Sequence, residues 1–204
     1  MLTLGSEPVA LSNDAGREAW LLEALGWTEA RLAATPWAFQ AMVHDLGKSG
    51  TDGSDAHDPN PRYGDSGRNL CSETVSWYYY ESGVELVQAG GGDVEDLRDV
   101  VAHDQIREAF RGAGRLYCYD AEQQAWVGDG GAVSPAAGDY LDRLSTSDEV
   151  NDGHAMMIAD WDGARGVATV LDGPWPVSLR TVRVHRQVSS GEHRFCLGRL
   201  PEDP

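Results

Sequence analysis

The sequence predicts an α+β domain, on three observations. Up to Arg111 the apolar residues recur at helical spacing. From Arg115 onward they fall in short alternating runs separated by turn residues, the pattern of strands. Between the early helices and the strands, Asn69 to Trp77 reads as a loop running into a helix with Cys71 in its first turn. Helices first and an antiparallel meander after is the order of α+β folds.

The first helical region is 13–47, where Ala15, Ala19, Leu22 and Leu25 repeat at helical spacing and Gly26 interrupts them. Thr35-Pro36 predicts an N-cap and first-turn pair for a helix that buries Phe39, Val43 and Leu46 and ends at Gly47. Residues 47–70 are rich in Gly, Asp, Ser, Asn and Pro and read as loop. Asp52, Asp55, Asp58 and Asn60 crowd it, but not at the alternate positions of an EF-hand, so a solvated loop is preferred to a calcium site. A helix over 71–82 follows, with Cys71, Val75, Tyr78 and Ser82 near one face and Gly83 as its C-cap. Asp93 caps another helix reaching about Arg111, with Val94, Leu97, Val101 and Phe110 inward. Gly90 to Gly92 is a turn and not a phosphate loop, because no Gly-Lys-Ser/Thr follows it.

Expected strands are 115–119, 124–127, 140–144, 154–160, 166–172, 177–185 and 194–200. Turns are expected at 128–131, 161–163, 173–174 and 189–191. With 204 residues and no repeat or linker, residues 1–204 are read as one domain, its first 50 residues helical.

A formal net charge of -17 argues against a nucleic-acid partner and against electrostatic adherence to an anionic wall or membrane. No stretch approaches the length of a membrane span. Met1 to Ser12 holds no basic residue and no long apolar run, so it is not read as a Sec signal peptide. Synthesis in the cytoplasm is expected, with any action outside the cell reached by a signal-free route or by lysis. Three cysteines cannot all pair and are too few for a disulfide scaffold, so a reduced chain is expected.

A thiol in the first turn of a helix lies at the positive end of the helix dipole, which favours the thiolate. A cysteine nucleophile also needs an imidazole within hydrogen-bond reach and a third group to orient it. Of six histidines, His44, His57, His103, His185 and His193 read as solvent-facing or structural. His154 opens the apolar run Ala155 to Ala159, so the edge of a core holds it; the plainer alternative is a satisfied, partly buried histidine. The strands 154–160 and 166–172 form a hairpin, which brings Asp172 beside His154 and leaves Asp160 and Asp162 at the opposite end. The competing reading makes Asp172 a turn starter before Gly173-Pro174. Cys118 and Cys196 lie inside strands as Tyr-Cys-Tyr and Phe-Cys-Leu, where buried structural thiols are the default.

In order and context these segments resemble the papain-like cell-wall hydrolases, the NlpC-type peptidases and CHAP amidases. The resemblance rests on Arg62-Tyr63-Gly64 followed by Asn69 to Trp77, on Pro135-Ala136-Ala137-Gly138-Asp139-Tyr140, on Gly153 to Ile158, on Val170-Leu171-Asp172-Gly173, and on the closing run Arg194 to Leu200. It covers 62–200, and it implies a papain-like fold in which the nucleophile helix packs on an antiparallel sheet. It further implies Cys71 as nucleophile, His154 as base and Asp172 as orienter, with no metal or cofactor. The backbone N–H of Cys71 is the first oxyanion donor and the Tyr63 hydroxyl a second. Leu70 and Glu73 depart from the family, where aspartate or glutamine often precedes the cysteine and glycine often follows the next residue. The long insertion 83–132 departs from its compact members.

The function expected from these residues is amide or peptide bond hydrolysis, on peptidoglycan or a peptide by the resemblance, with an inhibitor or immunity protein among the partners such a hydrolase can have. The same residues run acyl transfer, deamidation or isopeptide cleavage on a protein, because the acceptor decides the outcome. A third alternative is a non-catalytic binding module on the same fold, with Glu73 opposing thiolate formation.

Overall fold

The computed structural model describes residues 14–44, 46, 71–81, 103–146, 153–173 and 177–200. The helices α1 (Asp14–Leu25), α2 (Glu29–Ala33) and α3 (Trp37–His44) come first, then α4 (Cys71–Glu81) and α5 (His103–Gly112). The strands are β1 (Leu116–Asp120), β2 (Ala125–Gly128), β3 (Gly131–Val133), β4 (Tyr140–Ser145), β5 (Gly153–Asp162), β6 (Val167–Asp172), β7 (Ser178–Val182) and β8 (His193–Gly198), with α6 (Val184–Ser189) between the last two. The chain is α+β, as its element order predicts.

The strands form one sheet in the order β3-β2-β1-β8-β4-β5-β6-β7, and neighbouring strands run antiparallel. The last strand, β8, is inserted between β1 and β4, so the C-terminal segment closes the middle of the sheet. On one face Tyr140, Ala155, Met157 and Leu171 pack against Phe39, Met42, Val75, Tyr79 and Phe110 of the helices. On the other face Leu141, Met156, Ile158, Val170 and Phe195 pack with Trp126, Tyr119 and Val184. A strand covered on both faces needs apolar residues at successive positions, which is why β5 reads Ala-Met-Met-Ile-Ala.

Helix α4 lies against β5 and touches both α3 and α5. Enclosure on several sides explains why Ser72, Thr74, Val75, Ser76, Tyr78 and Tyr79 are all buried, rather than the single face that spacing predicts. The Tyr79 hydroxyl donates to the carbonyl of Gly138 at 2.8 Å, tying α4 to the turn that opens β4. In that turn Asp139 accepts from the N–H of Ala136 at 2.8 Å and from that of Leu200 at 3.1 Å. Burial still dominates and raises the Asp139 carboxyl to about 6, against the opposing effects of the Ala136 N–H, the Arg199 charge and the Leu200 N–H. The Pro-Ala-Ala-Gly-Asp turn is thus a structural staple between α4, β4 and the end of β8.

Four expectations are corrected. Cys118 and Cys196 stand directly opposite one another on β1 and β8 and are joined as a disulfide, so they are not free structural thiols and the chain is not fully reduced. Their separation of 78 residues hides the pairing from any local pattern. The strand expected over 177–185 ends at Val182 and α6 begins at Val184, because Val184 and Val188 also fit helical spacing. Gly131 belongs to β3 rather than to a turn, since Gly128 and Gly131 pair across a two-residue hairpin. Thr35 does not cap α3: its hydroxyl donates back to the carbonyl of Leu32 at 2.7 Å, and the Pro36 carbonyl accepts the first α3 bonds from Phe39 and Gln40. The calcium-loop reading at 52–60, Gly47, Gly83 and the helical positions 93–102 lie outside the described residues.

Candidate active site

Cys71 is the first residue of α4, and the first N–H groups of a helix have no partner inside it. The pairing of β5 with β6 begins at Met156 and Asp172, so β5 has no β6 neighbour at residues 153–155. The N-terminus of α4 occupies the notch left there. The N–H of Ala155, which faces no strand on that side, donates to Cys71 Sγ at 3.4 Å. Burial pushes the thiol up, but hydrogen bonds from His154, Ala155 N–H and Ser72 N–H, with the charge of His154, outweigh it and bring the thiol below its ordinary value.

Contact between α4 and the end of β6 requires a glycine. A Cβ on Gly173 would lie 2.9 Å from the methyl carbon of Thr74 and 3.1 Å from its Cβ and hydroxyl. Thr74 stands one turn along α4 from the thiol, so this close approach seats the helix against the sheet.

His154 is the second residue of β5 and is partly exposed, its side chain at 21%. Its Nε2 lies 2.5 Å from Asp172 Oδ1, which leaves Nδ1 for the thiol. Asp172 is not the direct cross-strand partner of His154; it pairs with Met156 and reaches His154 diagonally on the same face. Burial lowers the basicity of His154, but hydrogen bonds to Asp172 and Cys71 and the charges of both raise it to about 9. A thiol brought down and an imidazole brought up by one another describe two interacting groups that titrate as a unit.

The structure thus brings Cys71, His154 and Asp172 into one row on three elements, with His154 bonded to Asp172 and close enough to Cys71 for each to shift the other's pKa. Tyr63, the second oxyanion candidate, lies outside the described residues, as does His57. Nothing is described of the Glu73 side chain. Asp160 pairs with Arg31 at 2.8 Å and Asp162 with Arg165 at 3.8 Å, both at the far end of the hairpin, as expected of the rivals to Asp172. His185 lies in α6, with Nδ1 3.4 Å from the Tyr119 hydroxyl. Among the described residues no group of three or more His, Cys, Asp or Glu is placed to hold a metal ion. Among them also, no helix is long and apolar enough to cross a membrane.

No family model, curated protein or solved structure matches this chain.

Two groups near the row escape sequence reasoning. Arg180 on β7 places Nε 3.1 Å from Asp172 Oδ2 and also donates to Ser178 Oγ at 3.2 Å. An arginine at an alternating strand position carries no local mark, so only the register of β6 with β7 reveals it. The second group is built on Asp142, fully buried on β4, with Arg107 Nη1 2.8 Å from Oδ2 and His103 Nδ1 3.4 Å from Oδ1. The Asp142 carboxylate beside it is the main reason the His103 imidazole is raised above its ordinary value. The His103 ring also fills the place of a side chain on Gly153, where a Cβ would come within 2.1 Å of it. These three residues hold α5 to the sheet beside the start of β5, which agrees with the structural reading of His103.

Chemically, the row can present a thiolate at a helix N-terminus, hold a proton on an adjacent imidazole, and keep that imidazole aimed with a buried carboxylate. The N–H groups at the start of α4 are the donors closest to hand for a developing oxyanion.

Proposed function

We propose that this protein is a cysteine-dependent amide hydrolase with a papain-like fold, acting on peptide or amide bonds of peptidoglycan. The observation that carries the reading is the row Cys71–His154–Asp172, in which a half-buried thiol at a helix N-terminus lies beside an imidazole whose Nε2 is 2.5 Å from a buried carboxylate. A merely satisfied core histidine needs no thiol at a helix N-terminus on its second nitrogen. The peptidoglycan substrate comes from the resemblance of the nucleophile, histidine and Pro-Gly-Asp segments to NlpC-type and CHAP enzymes.

In this reading Cys71 loses its proton to His154 Nδ1 and its sulfur bonds to the substrate carbonyl carbon. The oxyanion is held by N–H groups at the start of α4. His154 gives the proton to the leaving amine as the C–N bond breaks, leaving a thioester on Cys71. Water, deprotonated by His154, attacks the thioester and releases the acid and the thiol. Asp172 orients the ring and stabilises its charged form throughout.

A second reading keeps this chemistry and changes the acceptor: acyl transfer, deamidation or isopeptide cleavage on a protein. The charge of -17 favours it over adherence to an anionic wall. The Cys118–Cys196 disulfide fits action outside a reducing cytosol, as either reading allows. Incubation with purified peptidoglycan of several wall types, with mass analysis of released fragments, separates the two. New fragments that vanish with Cys71→Ala support the hydrolase; none from any wall type counts against it.

A further inference from the structure

The row of interacting groups does not stop at Asp172. Its Oδ1 faces His154 and its Oδ2 faces Arg180, so both oxygens of a carboxylate that is 3% exposed are engaged. Arg180 reaches it from β7, two residues beyond Ser178, the direct cross-strand partner of Asp172. Arg180 Nε donates to Ser178 Oγ at 3.2 Å and stands 3.1 Å from Asp172 Oδ2 as an ion pair, its side chain 65% exposed. From α4 through β5 and β6 to β7 the groups alternate in the charge each carries when ionised: thiolate, imidazolium, carboxylate, guanidinium. Without the last, the first three sum to one negative charge at a partly buried site, which disfavours the thiolate.

We propose that Arg180 is a positioning residue of this site, fixing Asp172 against His154 and balancing the charge of the thiolate–imidazolium–carboxylate row. This rests on the cysteine hydrolase reading above. Arginine suits the task because its guanidinium stays charged and offers Nε–H in a fixed direction. The groups facing the row are Cys71 and the Ser72 N–H from α4, His154 and the Ala155 N–H from β5, Asp172 from β6, and Arg180 with Ser178 from β7. β4 also brings Arg143, the direct cross-strand partner of His154, while His103, Arg107 and Asp142 of α5 and β4 are paired with one another. Removing the Arg180 charge disfavours the thiolate and favours the imidazolium, so both limbs of the pair's titration move to higher pH.

The test is the pH dependence of Cys71 alkylation by neutral iodoacetamide, in the wild-type chain and in Arg180→Ala, Arg180→Lys, Asp172→Asn and the Arg180→Ala/Asp172→Asn double variant. At pH 6.5 Arg180→Ala is expected to react about threefold to tenfold more slowly, the equivalent of half to one pK unit. Arg180→Lys, which keeps the charge, recovers most of that loss. In the Asp172→Asn background Arg180→Ala adds little, because the group it positions has changed. A wild-type thiol no more reactive than an ordinary cysteine sinks the hydrolase reading itself. A reactive wild type with a superimposable Arg180→Ala profile overturns the Arg180 inference alone. So does a loss confined to anionic iodoacetate, since that marks simple anion attraction, or a loss undiminished beside Asp172→Asn.

Discussion

At the scale of single residues, the site is decided by two opposing effects on one thiol. Burial raises the Cys71 thiol, and the hydrogen bond and charge of His154 with two backbone N–H groups lower it by more. His154→Ala removes the imidazole's share of that lowering, so the thiol rises. At neutral pH that variant is expected to be alkylated about severalfold more slowly, because less of its thiol is ionised. The pH profile of hydrolysis follows from the same pair. In the proposed hydrolysis His154 carries the proton given to the leaving amine, and burial, Asp172 and Cys71 together put that imidazole at about 9. Turnover is therefore expected to fall as pH rises through about 9, with steady-state rates across pH as the measurement. A profile falling already near pH 6.5 would mean an imidazole unaided by Asp172 or Cys71. For stability the sign is the same. A histidine raised above its unfolded value contributes fully below about 6.5 and loses that contribution as pH rises through about 9.

At the scale of elements, the decisive fit is that of α4 into the notch beyond the end of β6. Ala155 N–H, unpaired by β6, meets the thiol there, and Gly173 lets Thr74 approach. Gly173→Ala is expected to displace α4 by a few tenths of an ångström or more, at a cost of about 1–3 kcal/mol. Urea unfolding measures that cost, and iodoacetamide kinetics measure the associated loss of thiol reactivity. Unchanged stability and reactivity together would show that the helix is seated by something other than this contact. A single methyl group beside Asp172 acts here because the row needs short distances between groups on three separate elements.

At the scale of the whole molecule, the C-terminal strand β8 joins two halves of the sheet, β1–β3 on one side and β4–β7 on the other. The disulfide reinforces the first of these joints by closing a span of 78 residues. In the chain-entropy model a loop of that length is worth about 4–5 kcal/mol. Reduction, or Cys118→Ala with Cys196→Ala, is expected to lower stability by up to that amount in denaturant unfolding. Cys71 alkylation in the still-folded double variant should be unaffected. Thiol titration of the unfolded, unreduced chain checks the pairing directly: one thiol is expected, and three would show that the bridge does not form.

Much of the site was legible in the linear chain because its parts are local signals. A cysteine entering a helix, a histidine opening an apolar strand and an aspartate ending the next strand each leave a mark within ten residues, and hairpin geometry joins the last two. The α+β class followed likewise from a change of period near Arg115. What the tertiary structure decided depends on pairings distant in sequence. Cys118 meets Cys196 only because β8 returns beside β1. Asp142 meets Arg107 and His103 only because α5 packs over β4. Arg180 meets Asp172 only through the register of β6 with β7. The sequence by itself determined which residues could carry the chemistry and which kind of element holds each. The tertiary structure decided that Cys71 and His154 stand side by side, and which charges surround them, because register and packing are properties of pairs of elements that neither writes alone.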